Sequence, residues 1–246
     1  MKKQYITILV GFFFLATNAS RAVSIVVTNP GFEDTSGQTV FNEFTFGVPA
    51  GWQIYDPADI HPSAGLFVGT LQPNGVDFFT TTAPEGDRVA ILYNETRRGE
   101  GEYGFFQELT DTLTANSHYT LTVEVGNIAS GFAQNGAFFN LDAFPGYRVE
   151  FLAGGTVISM DNNSLGIPEA EFATSTVTFT TGETHPLLGQ ALGIRLVSEN
   201  TLPPGSPADL ALEVDFDDVA LTVDSIPEPK SLMLFAVGFL SLIWRR

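Results

Sequence analysis

Apolar and polar residues alternate with a period of two along most of this chain. From His118 to Val125, Tyr119, Leu121, Val123 and Val125 share one face, with Thr120, Thr122 and Glu124 on the other. Tyr147, Val149 and Phe151 alternate with Arg148 and Glu150, and Leu192, Ile194 and Leu196 flank Arg195 in the same way. Such spacing marks strands with one buried face, and clusters of Gly, Pro, Asn and Asp separate them. Further strands are predicted at Ser24–Thr28, Trp52–Tyr55, Arg88–Tyr93, Gly104–Leu109, Thr156–Met160 and Thr174–Thr180. No stretch between the chain ends keeps a 3.6-residue apolar period. The pattern predicts an all-β domain, a sandwich or jelly roll. The segment Ala129–Pro145, rich in Gly, Phe and Asn, reads as a long loop.

The last predicted strand breaks its own rhythm. Leu212, Val214 and Phe216 occupy even positions, whereas Val219, Leu221 and Val223 occupy odd ones. A strand changes faces in mid-run only where a residue is inserted, so a β-bulge is expected at Asp217-Asp218. The alternative is one strand ending at Phe216 and a second starting at Val219.

Both ends depart from the β pattern. Lys2 and Lys3 precede an apolar run from Ile6 to Ala16, and Ser20 and Ala22 are small residues placed for cleavage before Val23. Residues 1–22 therefore read as a signal peptide and 23–225 as one domain. In 226–246, Pro227, Glu228 and Pro229 interrupt any regular element. An uncharged run, Ser231 to Trp244, then leads to Arg245 and Arg246. As a helix those fourteen residues would span about 21 Å, a short hydrophobic span with arginines at its end. A buried terminal helix is the alternative.

Pro-Glu-Pro, an apolar run and a terminal arginine pair resemble the PEP-CTERM sorting signal, also catalogued as an ice-binding protein C-terminal domain. In that family an exosortase cleaves near the motif and releases or attaches the protein at the surface of Gram-negative bacteria. The resemblance implies transient residence at the inner membrane, exosortase as a partner, and extracellular polysaccharide nearby.

There is no cysteine, so no disulfide supports the fold despite the export signals. The body carries twenty-seven acidic residues against five basic ones (Arg88, Arg97, Arg98, Arg148 and Arg195). That balance disfavours nucleic acid and anionic lipid as partners and suits cations.

Asn29-Pro30-Gly31-Phe32-Glu33 followed by Gly51-Trp52 resembles the opening of carbohydrate-binding-module-type, galactose-binding-like jelly rolls. Glu85-Gly86-Asp87-Arg88-Val89-Ala90 with Phe106-Gln107-Glu108-Leu109 is similar to their middle, and Phe216-Asp217-Asp218-Val219-Ala220-Leu221 to their closing strand. The resemblance implies a structural calcium tying the two chain ends, with Glu33, Asp34, Asp217 and Asp218 as ligands. A hard cation needing six to eight oxygens suits them. A solvated acidic edge explains the same residues. Asp161-Asn162-Asn163-Ser164-Leu165-Gly166 lacks oxygen ligands at the positions a helix-loop-helix calcium loop needs, and reads as a turn.

Of the aromatic residues, Tyr55, Tyr103 and Phe138 stand beside Gly and polar residues in predicted loops, where they could stack on sugar rings; core packing is the alternative. Thr174, Thr176, Thr178 and Thr180 share one strand face, as ice-binding rows do, yet no repeat extends them. His61, His118 and His185 fall in no nucleophile or metal motif. The expectation is an exported, non-catalytic jelly-roll module that binds extracellular polysaccharide, or else a structural matrix protein with no specific ligand.

Overall fold

Alternation becomes pairing in two large sheets. The computed structural model describes residues 22–61, 66–95, 100–202, 205 and 210–227. Apart from Ala22, the expected signal peptide lies outside the described residues. So do Arg97, Arg98, Glu228, Pro229, the run Ser231–Trp244, Arg245 and Arg246. The described residues contain no helix, and hence none long and apolar enough to cross a membrane.

In chain order the strands are β1 (Val23–Ile25), β2 (Thr39–Phe41), β3 (Phe44–Phe46), β4 (Gln53–Tyr55) and β5 (Leu66–Leu71). There follow β6 (Val89–Asn94), β7 (Tyr103–Thr112), β8 (Ser117–Asn127), β9 (Gly131–Phe132) and β10 (Phe138–Phe139). The last are β11 (Tyr147–Ala153), β12 (Thr156–Asn162), β13 (Glu171–Thr180), β14 (Ala191–Ser198) and β15 (Leu212–Ser225). One sheet runs β13-β8-β15-β6-β5-β3-β2, with β1 also on β15; the other runs β12-β11-β14-β7-β4. The pairings are antiparallel, and the fold is a jelly-roll sandwich, as the alternation predicts. The segment read as a long loop contains the short hairpin β9–β10.

Facing residues of the two sheets make the main core. Tyr119, Leu121, Val123 and Val125 of β8 and Val214 and Phe216 of β15 meet Phe105 of β7, Val149 and Phe151 of β11 and Ile194 of β14. Phe32 and Trp52 stack at 5.3 Å within it, and the Trp52 Nε1–H donates to Asn29 O. The bulge lies where the alternation slips: β15 is continuous, and its register against β8 shifts between Asp217 and Ala220. Asp218 takes the extra step at φ 45°, which lets Val219 and Leu221 rejoin the core.

A second hydrophobic cluster covers the outer face of the larger sheet. β6 is buried throughout: Ala90 and Leu92 face the main core, while Val89, Ile91 and Tyr93 face outward. Its near-continuous apolar run is what a strand covered on both sides requires. The cover comes from Phe78 and Phe79, after β5, and from Ile128, Ala133, Phe139 and Leu141, between β8 and β11.

Candidate active site

The outer cluster is not fully packed. It encloses a cavity of about 280 Å³ bounded by β3, β5, β6, β15 and the β9–β10 hairpin. Seven lining rings form one linked series. From Phe41 the rings pass to Phe46 (6.2 Å), Phe67 (5.2 Å), Tyr93 (5.8 Å) and Phe139 (5.9 Å), then to Phe44 (5.9 Å) and Phe78 (5.9 Å), centroid to centroid. Phe44 and Phe46 alternate on β3, and Phe67 and Tyr93 are cross-strand partners of β5 and β6. Strand geometry therefore sets most of the aromatic wall. The polar lining among the described residues is Glu95, Asn135, Glu213 and the Tyr93 hydroxyl.

Glu213 defines the chemistry. It lies on β15, on the face opposite Val214 and Phe216, and is only 3% exposed. Its Oε1 has no hydrogen-bond partner among the described residues. Burial pushes its carboxyl up to about 8, so it is largely a neutral acid at pH 7. Asp215, two residues on, is fully buried with neither oxygen partnered among the described residues, and burial first, then the Glu213 charge, raise its carboxyl well above the ordinary range. Tyr93 is raised chiefly by burial, with Glu213 and Glu95 adding to it.

The hairpin over the cavity is anchored from the sheet side. Glu43, in the turn between β2 and β3, accepts at Oε1 from Gln134 N at 2.8 Å; its Oε2 is buried and has no partner among the described residues. Ser130 Oγ is hydrogen-bonded to Asp142 and accepts from Leu141 N at 2.8 Å, fixing the hairpin's base.

The residues expected to bind sugar do not meet. Tyr103 is fully buried and its hydroxyl has no partner among the described residues, so it offers no face for stacking at the surface. Tyr55 is half-buried; its hydroxyl donates to Glu102 at 2.7 Å, and the Arg195 guanidinium sits 4.0 Å above its ring. This belongs to an ion-pair network on the five-stranded sheet, where Arg148 and Arg195 share Glu150. Phe138 alone is well exposed (57%), tilted against the exposed Phe132 at 5.0 Å on the hairpin. The threonine row lies on β13, an edge strand, with Thr174, Thr176, Thr178 and Thr180 exposed.

The expected calcium ligands are only partly gathered. Glu33 Oε1 accepts from the N–H groups of Asp87 and Arg88, each at 2.7 Å. Asp217 is buried, and its two oxygens accept from Glu85 N and Asp218 N, both at 2.8 Å. A carboxylate not singled out from sequence, Glu85, comes beside it: both converge on Gly31, where a Cβ would overlap Glu85 Oε2. Asp34 is instead spent on an exposed turn, accepting from Ser36 N, and the Asp218 side chain is exposed. Among the described residues no group of three acidic or imidazole side chains could hold a metal. Asp161, in the rejected loop, is tied to Tyr147 and Ser175 at 2.6 Å each and to Ser164 N, and supports a turn.

Sequence reasoning missed Glu213, Asp215 and the aromatic wall. The signal was present in Glu213, Asp215 and Asp217 at alternate positions of a strand whose other face is apolar.

Comparison with known proteins agrees with a catalytic reading. Residues 225–246 match the PEP-CTERM protein-sorting motif, which implies export and exosortase processing. Residues 23–222 match the model of the HpiC1-like family, described as HpiC1 cyclase. No curated protein matches the chain significantly. Among solved structures, the apo form of a cyclase from Fischerella sp. is 38% identical with a TM-score of 0.71, covering 84% of this chain and 98% of that one. A Stig cyclase, Fisc from Fischerella sp. TAU, in complex with (3Z)-3-(1-methyl-2-pyrrolidinylidene)-3H-indole, is 38% identical with a TM-score of 0.72, covering 84% and 100%. A cyclase from the same source in complex with 4-(1H-indol-3-yl)butan-2-one is 38% identical with a TM-score of 0.71, covering 83% and 99%. The expectation of a non-catalytic module is thereby corrected, because these relatives are enzymes. The chain belongs to the HpiC1-like cyclase family.

Proposed function

We propose that this protein is an exported cyclase whose active site is the aromatic cavity on the outer face of the larger sheet, with Glu213 as general acid. The observation that carries the reading is a buried carboxyl, pushed towards its neutral form by burial, opening onto a cavity walled by seven aromatic rings. The substrate class is an apolar indole bearing an alkene chain, in keeping with the indole ligands of the related cyclases. Glu213 gives its proton to the alkene and leaves a tertiary carbocation that the ring faces stabilise. The indole π bond attacks that cation and closes a carbon–carbon bond. A proton lost from the attacked ring carbon returns to the Glu213 carboxylate and restores aromaticity. The product is an isomer of the substrate, with no co-reactant consumed. The raised carboxyl suits this role, since an acid works best when its pKa lies near the working pH.

A structural calcium, the cofactor expected from the sequence, would be held by Asp217 and Glu85 and would act on stability. Extracellular polysaccharide as a partner finds support only in the exposed Phe138–Phe132 pair. The cavity offers too few donors and acceptors for a sugar's hydroxyls.

The test is turnover of 3-homoprenylindole, a neutral indole with a trisubstituted alkene, by the purified full chain in D2O. The expected product has a new ring and one deuterium on a former alkene carbon, and Glu213→Gln abolishes it. Binding without turnover, or turnover unaffected by Glu213→Gln, overturns the reading.

A further inference from the structure

We propose that this cavity selects a positively charged nitrogen on an aromatic scaffold over its neutral isostere. The inference rests on the reading above that the cavity is the ligand site; it concerns a ligand that already carries the positive charge the neutral substrate acquires only as a carbocation, and that competes with the substrate rather than being turned over. Three observations carry it. The rings of Phe44, Phe46, Phe67, Tyr93 and Phe139 surround one volume, and aromatic faces attract cations most strongly where water is excluded. The groups among the described lining residues that can carry a full charge are both carboxyls, Glu213 at the buried end and Glu95 on an exposed turn after β6. Finally, Glu213 Oε1 and both Asp215 oxygens are buried without partners among the described residues, a cost that a bound N–H⁺ donor would relieve at Glu213.

The groups facing Glu213 make the binding proton-linked. Asp215 on β15 and Tyr93 on β6 are acids that burial first, then the Glu213 charge, push towards their neutral forms, and Tyr103 on β7, buried in the main core, is raised in the same direction. With no basic group among them, Glu213 gives up its proton when a cation arrives. A cationic ligand therefore drives proton release to solvent, whereas a neutral one leaves the carboxyl protonated.

The test is titration calorimetry of the full chain with tryptamine and with tryptophol, which differ in ammonium against hydroxyl. Each is run at pH 7 in two buffers of different ionisation enthalpy. The expected result is at least tenfold tighter binding of tryptamine, with proton release for tryptamine only. Glu213→Gln should bring tryptamine to the tryptophol level and abolish its proton release. Phe139→Leu, which keeps apolar bulk but removes a ring, should narrow the preference independently. Equal affinities without proton release overturn the charge preference while leaving the cavity as the binding site. Failure of both compounds to bind overturns the preference together with the site.

Discussion

Glu213 on β15 and Tyr93 on β6 are direct partners across the antiparallel ladder, and both side chains line the aromatic cavity. Cross-strand partners project on the same side of a sheet, so the acid and the ring are positioned by backbone pairing. Glu213→Gln keeps the shape of the acid and removes its proton. It should lower cyclisation by about 10²–10⁴-fold. Thermal stability should hold or rise, because a neutral amide is easier to bury than a carboxyl that ionises. Parallel turnover and melting measurements check both.

Stability should fall as pH rises through neutrality. The folded-state carboxyl of Glu213 titrates at about 8, against 4.5 for an exposed glutamate. Below the lower value both states are protonated and the stabilisation is complete. Between the two, the unfolded chain ionises first, so stability is lost as pH climbs towards about 8. Asp217, raised to about 8 mainly by burial, acts in the same direction. Asp161 has the opposite sign: despite burial, hydrogen bonds from Ser175 and Tyr147 hold it low, so its contribution is lost in strong acid. Melting temperature should thus peak near about pH 4 and decline towards pH 8, with a shallower decline in Glu213→Gln.

Asp217 closes the domain by accepting from Glu85 N and Asp218 N. Asp217→Ala leaves both donors unpaired and should cost about 2–4 kcal/mol in urea unfolding. Added calcium should raise the melting temperature of the unaltered chain and leave that of Asp217→Ala unmoved. The absence of a shift in the unaltered chain would remove calcium from the fold.

Gly69 pairs with Phe46 where β5 runs beside β3, and a Cβ there would lie 1.8 Å from Thr45 O. Backbone cannot yield as a flexible side chain can, so Gly69→Ala should separate the two strands at a cost of about 1–3 kcal/mol. Because β3 carries Phe44 and Phe46 into the cavity, tryptophol binding should weaken along with stability.

Much of the sandwich could be read from alternation because core-facing apolar residues recur at every second position of the long strands. β8 alternates buried with half-buried residues, and β13 sets Ser175 and Val177 between exposed threonines; the slip at Asp217-Asp218 revealed the bulge because only an inserted residue reconciles Phe216 with Val219. The site could not be read in the same way. Glu213 and Asp215 look like a solvated face until the segments carrying Phe78 and Phe139 fold over them, and those segments have no period to announce their packing. The run Val89 to Tyr93 was the available clue, since a strand apolar on both faces must be covered on both. Tyr103 misled for the converse reason: its polar neighbours suggested a loop, whereas it begins β7 with its ring in the main core.

Titration of the Glu213 side-chain carboxyl is the most direct measurement, by 13C NMR of glutamate-labelled full chain, with the signal assigned by its loss in Glu213→Gln. An apparent pKa of about 8, with the carboxyl protonated at pH 7, is the predicted result. A carboxyl that titrates in the ordinary glutamate range would show that no proton is held at the aromatic cavity, and would contradict general acid catalysis there.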